Sequence, residues 1–452
     1  MNNSTTAAVL ASIALLGGCA TGSLAQLQGQ TQALREQRSA IAATTQPLAA
    51  ELAEPLDADR AVRVALLNNP AVRATLAQLQ FAQGDLYDAL RPGNPTVDIA
   101  FLDAAGGVSR NVWSVSQPLL DLLFAGYRQR HGELAMLEAQ QLVADQLLRL
   151  ERDVRQAWLR HTAAALRLAV AARAAEAAEL AAQLAERYHE AGNVSELQWR
   201  NEQSLAAEAQ LQAAARAAEL ITARGALLGL LGLPHDQANL RFDERLLLPA
   251  DYTPQVEALG AQALQQRLDL AARRSAVELA RRESTHSRRW RWLPAAELRI
   301  EGEHESGQDR FTGPGATLQL PLPNTGAGQV ARTTARLAMR EAELEAEQLG
   351  VRNRIASGGA MLQLARRSFD VHARQLLQIN QRALELSGAE HNYMLIGSFE
   401  LLAVRRRQIE GHDQWIDAIE SWWREFNDLA YESGTALPVP AATGSVSAED
   451  LP

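Results

Sequence analysis

The chain has 452 residues, 47% of them hydrophobic but only 5% aromatic, so alanine and leucine supply most of the apolar surface. That composition suits long helices with close backbone contact and excludes an aromatic-rich sandwich core. A net charge of -9, with arginine as the only fixed cation, argues against a non-specific nucleic-acid binder, and a single cysteine excludes a disulfide framework and a structural zinc knuckle.

Ala7 to Ala20 form an apolar stretch too short to span a bilayer but suited to the hydrophobic region of an export signal. It ends in Leu16-Gly17-Gly18-Cys19, which resembles the lipobox of bacterial lipoproteins. Residues 1–18 are therefore expected to be a signal peptide, and Cys19 the site of a covalent lipid. Met1 to Thr6 carry no Lys or Arg, a departure from such signals. The competing assignment is a buried N-terminal helix with a core cysteine. The position of the sole cysteine at the end of the apolar stretch favours the lipoprotein. No other apolar run reaches 18 residues, so no mature transmembrane helix is expected, which leaves a periplasmic lipoprotein, a secreted protein or an outer-membrane β-barrel.

Residues 19–55, rich in Gln, Ala and Thr, read as an irregular N-terminal tether. Helical periodicity holds from Leu56 to Arg91. A Gly/Pro-marked segment runs from Pro92 to Pro118, and a long helix follows to about Glu190. Gly192-Asn193 break it, and Ser195 is placed to cap the next helix, which runs to Pro234. After a linker at 235–252 the plan repeats over 253–433. A helix to Arg291 leads to a strand-like region from Ala295 to Leu322, a long helix to Glu390, a break at Gly397 and a last helix to Ser433. Residues 434–452 are expected to be a disordered tail.

Landmarks recur in order. Asn94-Pro95 match Leu293-Pro294, Pro118 matches Pro321, and Gly126 matches Gly328. Tyr188 and Gly192 match Tyr393 and Gly397. The spacings drift from 199 to 205 residues. The chain is thus read as a tandem duplication, with repeats at 56–234 and 253–433. The long helix from Gly126 would extend about 98 Å at 1.5 Å per residue. It carries an apolar seam at alternating steps of three and four, including Leu147, Leu150, Val154, Ala157 and His161, and a second seam through Leu159, Leu166 and Val170. Two seams call for neighbours on two sides, as in a ring of helices. His161 reads as a packing residue.

Between the helices lie period-two segments. Val97, Ile99 and Phe101 alternate with Thr96 and Asp98, and Trp113 and Val115 with Ser114 and Ser116. Leu298 and Ile300 alternate with Glu297, Arg299 and Glu301, and Leu318, Leu320 and Leu322 with Thr317 and Gln319. Their length suits tilted outer-membrane strands. Four strands cannot close a barrel and open edges cannot stand in lipid, so three chains giving 12 strands are expected. In that arrangement Asp98, Glu297, Arg299 and Glu301 face a water-filled lumen.

The order of elements resembles the TolC-like outer-membrane efflux protein family over roughly Leu56 to Tyr431. The carrying pieces are NNPAVRATLAQLQFAQGDL, QPLLDLLFAGYRQR, YHEAGNVSELQ and LPLPNTGAGQVARTTARLA. The resemblance implies a mainly α fold with a small transmembrane β part: a trimeric 12-strand β-barrel continued by a 12-helix α-barrel. It also implies a periplasmic adaptor and an inner-membrane efflux pump as partners. It places hairpin tips and adaptor contact at Gly192 and Gly397, and strand-helix junctions at Gly126, Gly328, Pro118 and Pro321. Ala20 reads as an outer-membrane sorting residue. The second tip, Y-M-L-I-G-S-F, departs from the first.

Nucleotide loops, zinc-protease motifs and nucleophile elbows are absent, so no enzyme, cofactor or metal site is expected. His304 lies among carboxylates in E-G-E-H-E, for which pore lining is the better reading than a cation site. In Arg405-Arg406-Arg407 some members should pair with acidic residues on adjacent helices, and R-R-W-R-W from Arg288 suits a headgroup interface. The alternative to an export duct is a structural periplasmic coiled-coil lipoprotein without channel activity, which leaves the four amphipathic strands unused.

Overall fold

A computed structural model describes residues 23–39, 41–42, 46–103, 109–236, 240–305, 309–437 and 444–451. Cys19, Ala20 and the signal segment lie outside them, as does the turn around Gly107. The chain divides into two compact units. One, containing residues 75–144 and 268–348, holds the main sheet. The other, containing 34–74, 145–267 and 349–451, holds the helical hairpins.

The elements in order are α1 (Leu24–Glu36), α2 (Leu48–Glu51), α3 (Ala58–Asn68), α4 (Pro70–Ala89), β1 (Thr96–Asp103), β2 (Ser109–Pro118), α5 (Leu119–Leu123), α6 (Ala125–Glu190) and α7 (Glu196–Leu231). Next come β3 (Leu246–Leu247), α8 (Val256–Gln266), α9 (Leu268–Trp290), β4 (Ala296–Glu305), β5 (Arg310–Leu318) and α10 (Ala327–Val371). A π-turn (His372–Leu376), α11 (Leu377–Asn392), α12 (Ser398–Ser433) and β6 (Ser445–Val446) complete the chain.

The duplication is visible element by element, and it corrects the register read from the landmarks. Gly126 and Gly328 each stand second in a long helix. Gly232 and Gly434, also 202 residues apart, end α7 and α12 with φ of 68° and 69°. The offset is thus constant at 202 after the strands and does not drift to 205. Each predicted first helix is broken in two. Asp57 caps α3 by accepting from the Arg60 amide at 2.7 Å. Asn69 then turns extended (ψ 122°), as a residue before proline must, and Pro70 opens α4. In the second repeat Arg267 makes the same turn (ψ 130°) without a proline. Both breaks are braced by the αL glycines. A Cβ on Gly232 would meet Asn69 at 2.9 Å, and one on Gly434 would meet Arg267 at 3.0 Å.

Two further expectations are corrected. The tether is not irregular at 24–36 and 48–51, where its Leu, Ala and Gln residues form helix. Arg35 is buried and donates to the Ile41 carbonyl, and Arg38 Nε donates to the Gln266 carbonyl at 2.7 Å. The tail is ordered at 444–451. Val446 and Ser445 pair with Leu246 and Leu247 of the linker, and Arg173 donates to the Ala448 carbonyl at 2.8 Å. The linker's other end pairs Phe242 with Leu56, so one segment holds the start of the first repeat and the end of the chain. Beside it Trp422 stacks on Phe426 in the core while Trp423 meets both edge-on, and the Trp158 indole donates to the Leu56 carbonyl at 2.8 Å.

His161 packs as expected, ring against Phe242 at 4.3 Å, but its Nδ1 has no hydrogen-bond partner. Burial, with Arg224 nearby, pushes its pKa down to about 4. Glu151 has the opposite shift: burial holds its carboxyl above the usual range, with Arg155 and the Ser39 hydroxyl opposing. A group raised in the fold contributes stability below its unfolded pKa and loses it as pH rises through the folded value. Glu151→Gln should therefore flatten the fall in thermal midpoint as pH rises above the ordinary glutamate range. Scanning calorimetry across that window checks it, and an unchanged slope would contradict it.

Candidate functional site

The main sheet is antiparallel in the order β1-β2-β4-β5, leaving β1 and β5 as its edges. Its register aligns the alternation of all four strands. Val97, Val115, Ile300 and Pro314 form one cross-strand row. Asp98, Ser114, Glu301 and Gly313 form the next, on the opposite face. Thr96, Ser116, Arg299 and Gly315 continue that polar face, as does Glu297 between Pro118 and Thr317. Ser114 reaches Asp98 at 3.3 Å and Arg299 reaches Glu301 at 3.3 Å. The apolar face bears Ile99, Phe101, Trp113, Leu298 and Ile300, all exposed on the single chain. On this face Trp113 packs across Gly302, where a Cβ would fall 2.5 Å from the indole.

His304 sits on the apolar face beside Asn111 and Arg310, opposite Glu297, Arg299 and Glu301, so it does not share the face expected to line the pore; Glu303 and Glu305 are turned to that other side by the strand alternation. The carboxylates adjacent in sequence are therefore not its neighbours in space, and no cluster among the described residues is fitted to a metal ion. Strand β5 ends at Leu318, so Pro321 and Leu322 lie beyond it and Pro321 does not close the strand as Pro118 closes β2. At the helix-to-strand boundary, Arg289 lies over Trp290 and Arg291 over Trp292, with Trp290 edge-on to Phe124.

The hairpin turns are near copies. In the first, the Gly192 amide donates to His189 and the Asn193 amide to Tyr188. In the second, Met394 donates to His391 and Leu395 to Glu390. His189 and His391 each contact the carbonyl five residues on at 3.2 Å. The structural counterpart of Gly192 (φ 76°) is thus Met394 (φ 60°), and the counterpart of the capping Ser195 is Gly397. The sequence pairing of Gly192 with Gly397 is displaced by three residues because it followed the tyrosines and glycines. Gly397 has an ordinary φ of -78°. Gly192→Val should accordingly raise exchange of the Asn193 amide, at a cost of about 1–2 kcal/mol, whereas Gly397→Ala should leave the Leu395 amide as protected as before. Hydrogen-exchange mass spectrometry of the tip peptides checks both.

Farther along the hairpins lies a charge network that sequence reading missed. Arg167 of α6 is buried and pairs with Asp417 at 2.6 Å, Glu219 at 3.0 Å and Glu420. Arg216 of α7 bridges Asp413 at 2.7 Å and Glu219 at 2.9 Å. Burial holds the Asp413 and Glu420 carboxyls above the usual range, with the arginines opposing. The spacing Asp413, Asp417, Glu420 places three acids on one helix face and was the available signal. In the arginine run, Arg406 pairs with Glu202 of α7 at 3.3 Å, as expected.

The chain thus combines a tandem repeat of helical hairpins with a four-stranded amphipathic sheet. No family model and no curated protein matches the chain. Solved structures do. The chain is similar to the CmeC outer membrane channel of Campylobacter jejuni (13% identity, TM-score 0.72, covering 84% of this chain and 86% of that one). It is similar to the outer membrane protein VceC of Vibrio cholerae (13% identity, TM-score 0.70, covering 84% and 97%). It is also similar to the MtrE outer membrane channel of Neisseria gonorrhoeae (17% identity, TM-score 0.63, covering 85% and 91%). The chain has the TolC-like fold of outer-membrane efflux channels.

Proposed function

We propose that the chain is the passive outer-membrane exit duct of a tripartite efflux system, working as a homotrimer. The observation that carries this is the sheet: one apolar and one polar face, both exposed, and two unpaired edges. Lipid tolerates such a sheet only if its edges are closed, and three copies supply a 12-strand ring with Asp98, Glu297, Arg299 and Glu301 inside. The helical hairpins would likewise form a 12-helix barrel. Cys19 would carry the lipid anchor, with Ala20 directing the chain to the outer membrane. The turns at Gly192 and at Met394 to Gly397 would meet a periplasmic adaptor loaded by an inner-membrane pump. Gly126 and Gly328 would mark the passage from strands to helices. The duct needs no cofactor and no catalytic residue, and small molecules or metal ions would pass through it without chemical change.

Native mass determination of detergent-extracted protein, paired with recordings in planar bilayers, tests this reading. A trimer is expected, with cation-over-anion permeability that falls in Glu301→Gln because the substitution removes three lumen charges. A monomer would favour the coiled-coil lipoprotein. A conducting trimer indifferent to Glu301→Gln would remove Glu301 from the lumen.

A further inference from the structure

The first helix of the second hairpin, α10 continued by α11, carries two apolar lines, and both change step at the same place. On α10 the buried residues Ile355, Leu362 and Phe369 recur every seven. Past the π-turn the half-buried positions Leu377, Leu384 and His391 also recur every seven. Leu377 lies toward Gly411 of α12, so this line faces the hairpin partner. Across the π-turn the step is eight. The exposed line behaves identically: Leu364 and Val371 are seven apart, Ile379 follows after eight, and Leu386 after seven.

In an uninterrupted α-helix, seven residues fall about 20° short of two turns and eight overshoot by about 80°. One extra residue would thus swing everything beyond it by about 100°, taking Ile379 and Leu386 off the line of Leu364 and Val371. A π-turn, with its wider i to i+5 bonding, takes up one residue locally. The inner line explains the turn as far as folding is concerned. It does not explain why the outer line is apolar and in phase as well.

A matching line lies on the first hairpin. On α7 the exposed residues Ala207, Leu211, Ala214, Ala218 and Ile221 follow one another at alternating steps of four and three, a seam along one side of the helix. Counted from the turns at 1.5 Å per residue, Ile379 stands about 21 Å from its tip and Leu211 about 25 Å from its own. Leu364 and Ile221 stand at about 42 and 40 Å. Neither line is covered within one chain. Open sheet edges at β1 and β5 call for closure by further copies, and a head-to-tail ring would set one line against the other.

We infer that the π-turn at His372–Leu376 is a phasing device for an interface between copies, holding Leu364, Val371, Ile379 and Leu386 in one line against α7 of a second copy of this chain. The inference rests on the homotrimer reading and adds to it which helices meet and why the π-turn is there.

The test uses the full chain. Leu211→Cys with Ile379→Cys should give inter-chain disulfides on oxidation, up to a covalent trimer, and neither single variant should do so. Deleting Gln375 converts the π-turn to ordinary helix with both lines in phase, so mass and cross-linking should be retained. Inserting an alanine after Gln375 should cut cross-linking at least tenfold. A deletion as damaging as the insertion would overturn the phasing role, and a trimer without the 211–379 cross-link would overturn the interface. A monomeric wild-type chain would defeat the trimer reading itself, and its mass shows this before any variant is made.

Discussion

Replacing Arg167 with methionine is expected to destabilise the chain by about 3–5 kcal/mol, because a buried network losing its cation leaves charge without compensation. Arg167 is 6% exposed and faces Glu219, Asp417 and Glu420 from two other helices. Of these Glu420 is the most buried and bears most of the penalty. The more exposed Glu219 and Asp417 are relieved by solvent, and Glu219 keeps Arg216. Adding Glu420→Gln to Arg167→Met should recover much of the loss, whereas Glu219→Gln should recover little. Thermal unfolding of the single and double variants checks the order. Equal rescue by both would show that burial does not rank these acids.

The second large effect concerns the apolar row of the sheet. Ile300→Arg should cost about 2–4 kcal/mol per chain if the row lies near the bilayer midplane. Ile300 stands between Val115 and Pro314, with Val97 beyond, so the arginine would find only apolar residues directly across from it. His304→Arg, two pairs farther along the same face, should cost only about 0–1 kcal/mol. There Asn111 and Arg310 already flank the site. Recovery of heat-modifiable oligomer from membranes measures both, and equal tolerance would place the row outside lipid.

Much of this was legible because it rests on periodicity. The long helices and the two faces of the strands follow from the spacing of apolar residues, the duplication from the recurring Pro, Gly and Tyr landmarks, and the Ser195 cap from the Gly192-Asn193 break before it. Three features were not legible, each for a physical reason. Residues 24–36 and 444–451 look like polar tether and tail, yet they have long-range partners, Gln140 for Gln30 and Leu246 for Val446. Composition does not encode such partners. The tips were misregistered because glycine marks flexibility only where φ is positive, and Gly397 adopts an ordinary φ while Met394 takes the αL position at 93% exposure. The Arg167 network was missed because Arg167 lies more than 50 residues from each of its partners, and only the acid spacing on α12 hinted at it.

Adjacent residues on one strand give the most direct test of the duct. Cysteines placed singly at Ile300 and Glu301, each compared with the parent chain and its own Cys19, would be probed in intact outer membranes with a hydrophilic maleimide and a lipid-phase thiol reagent. Successive strand residues point to opposite faces, so a closed barrel predicts opposite outcomes: Glu301→Cys labelled from water alone and Ile300→Cys from lipid alone. Labelling of both positions from water, to the same extent, would contradict a membrane barrel and leave the sheet a soluble one.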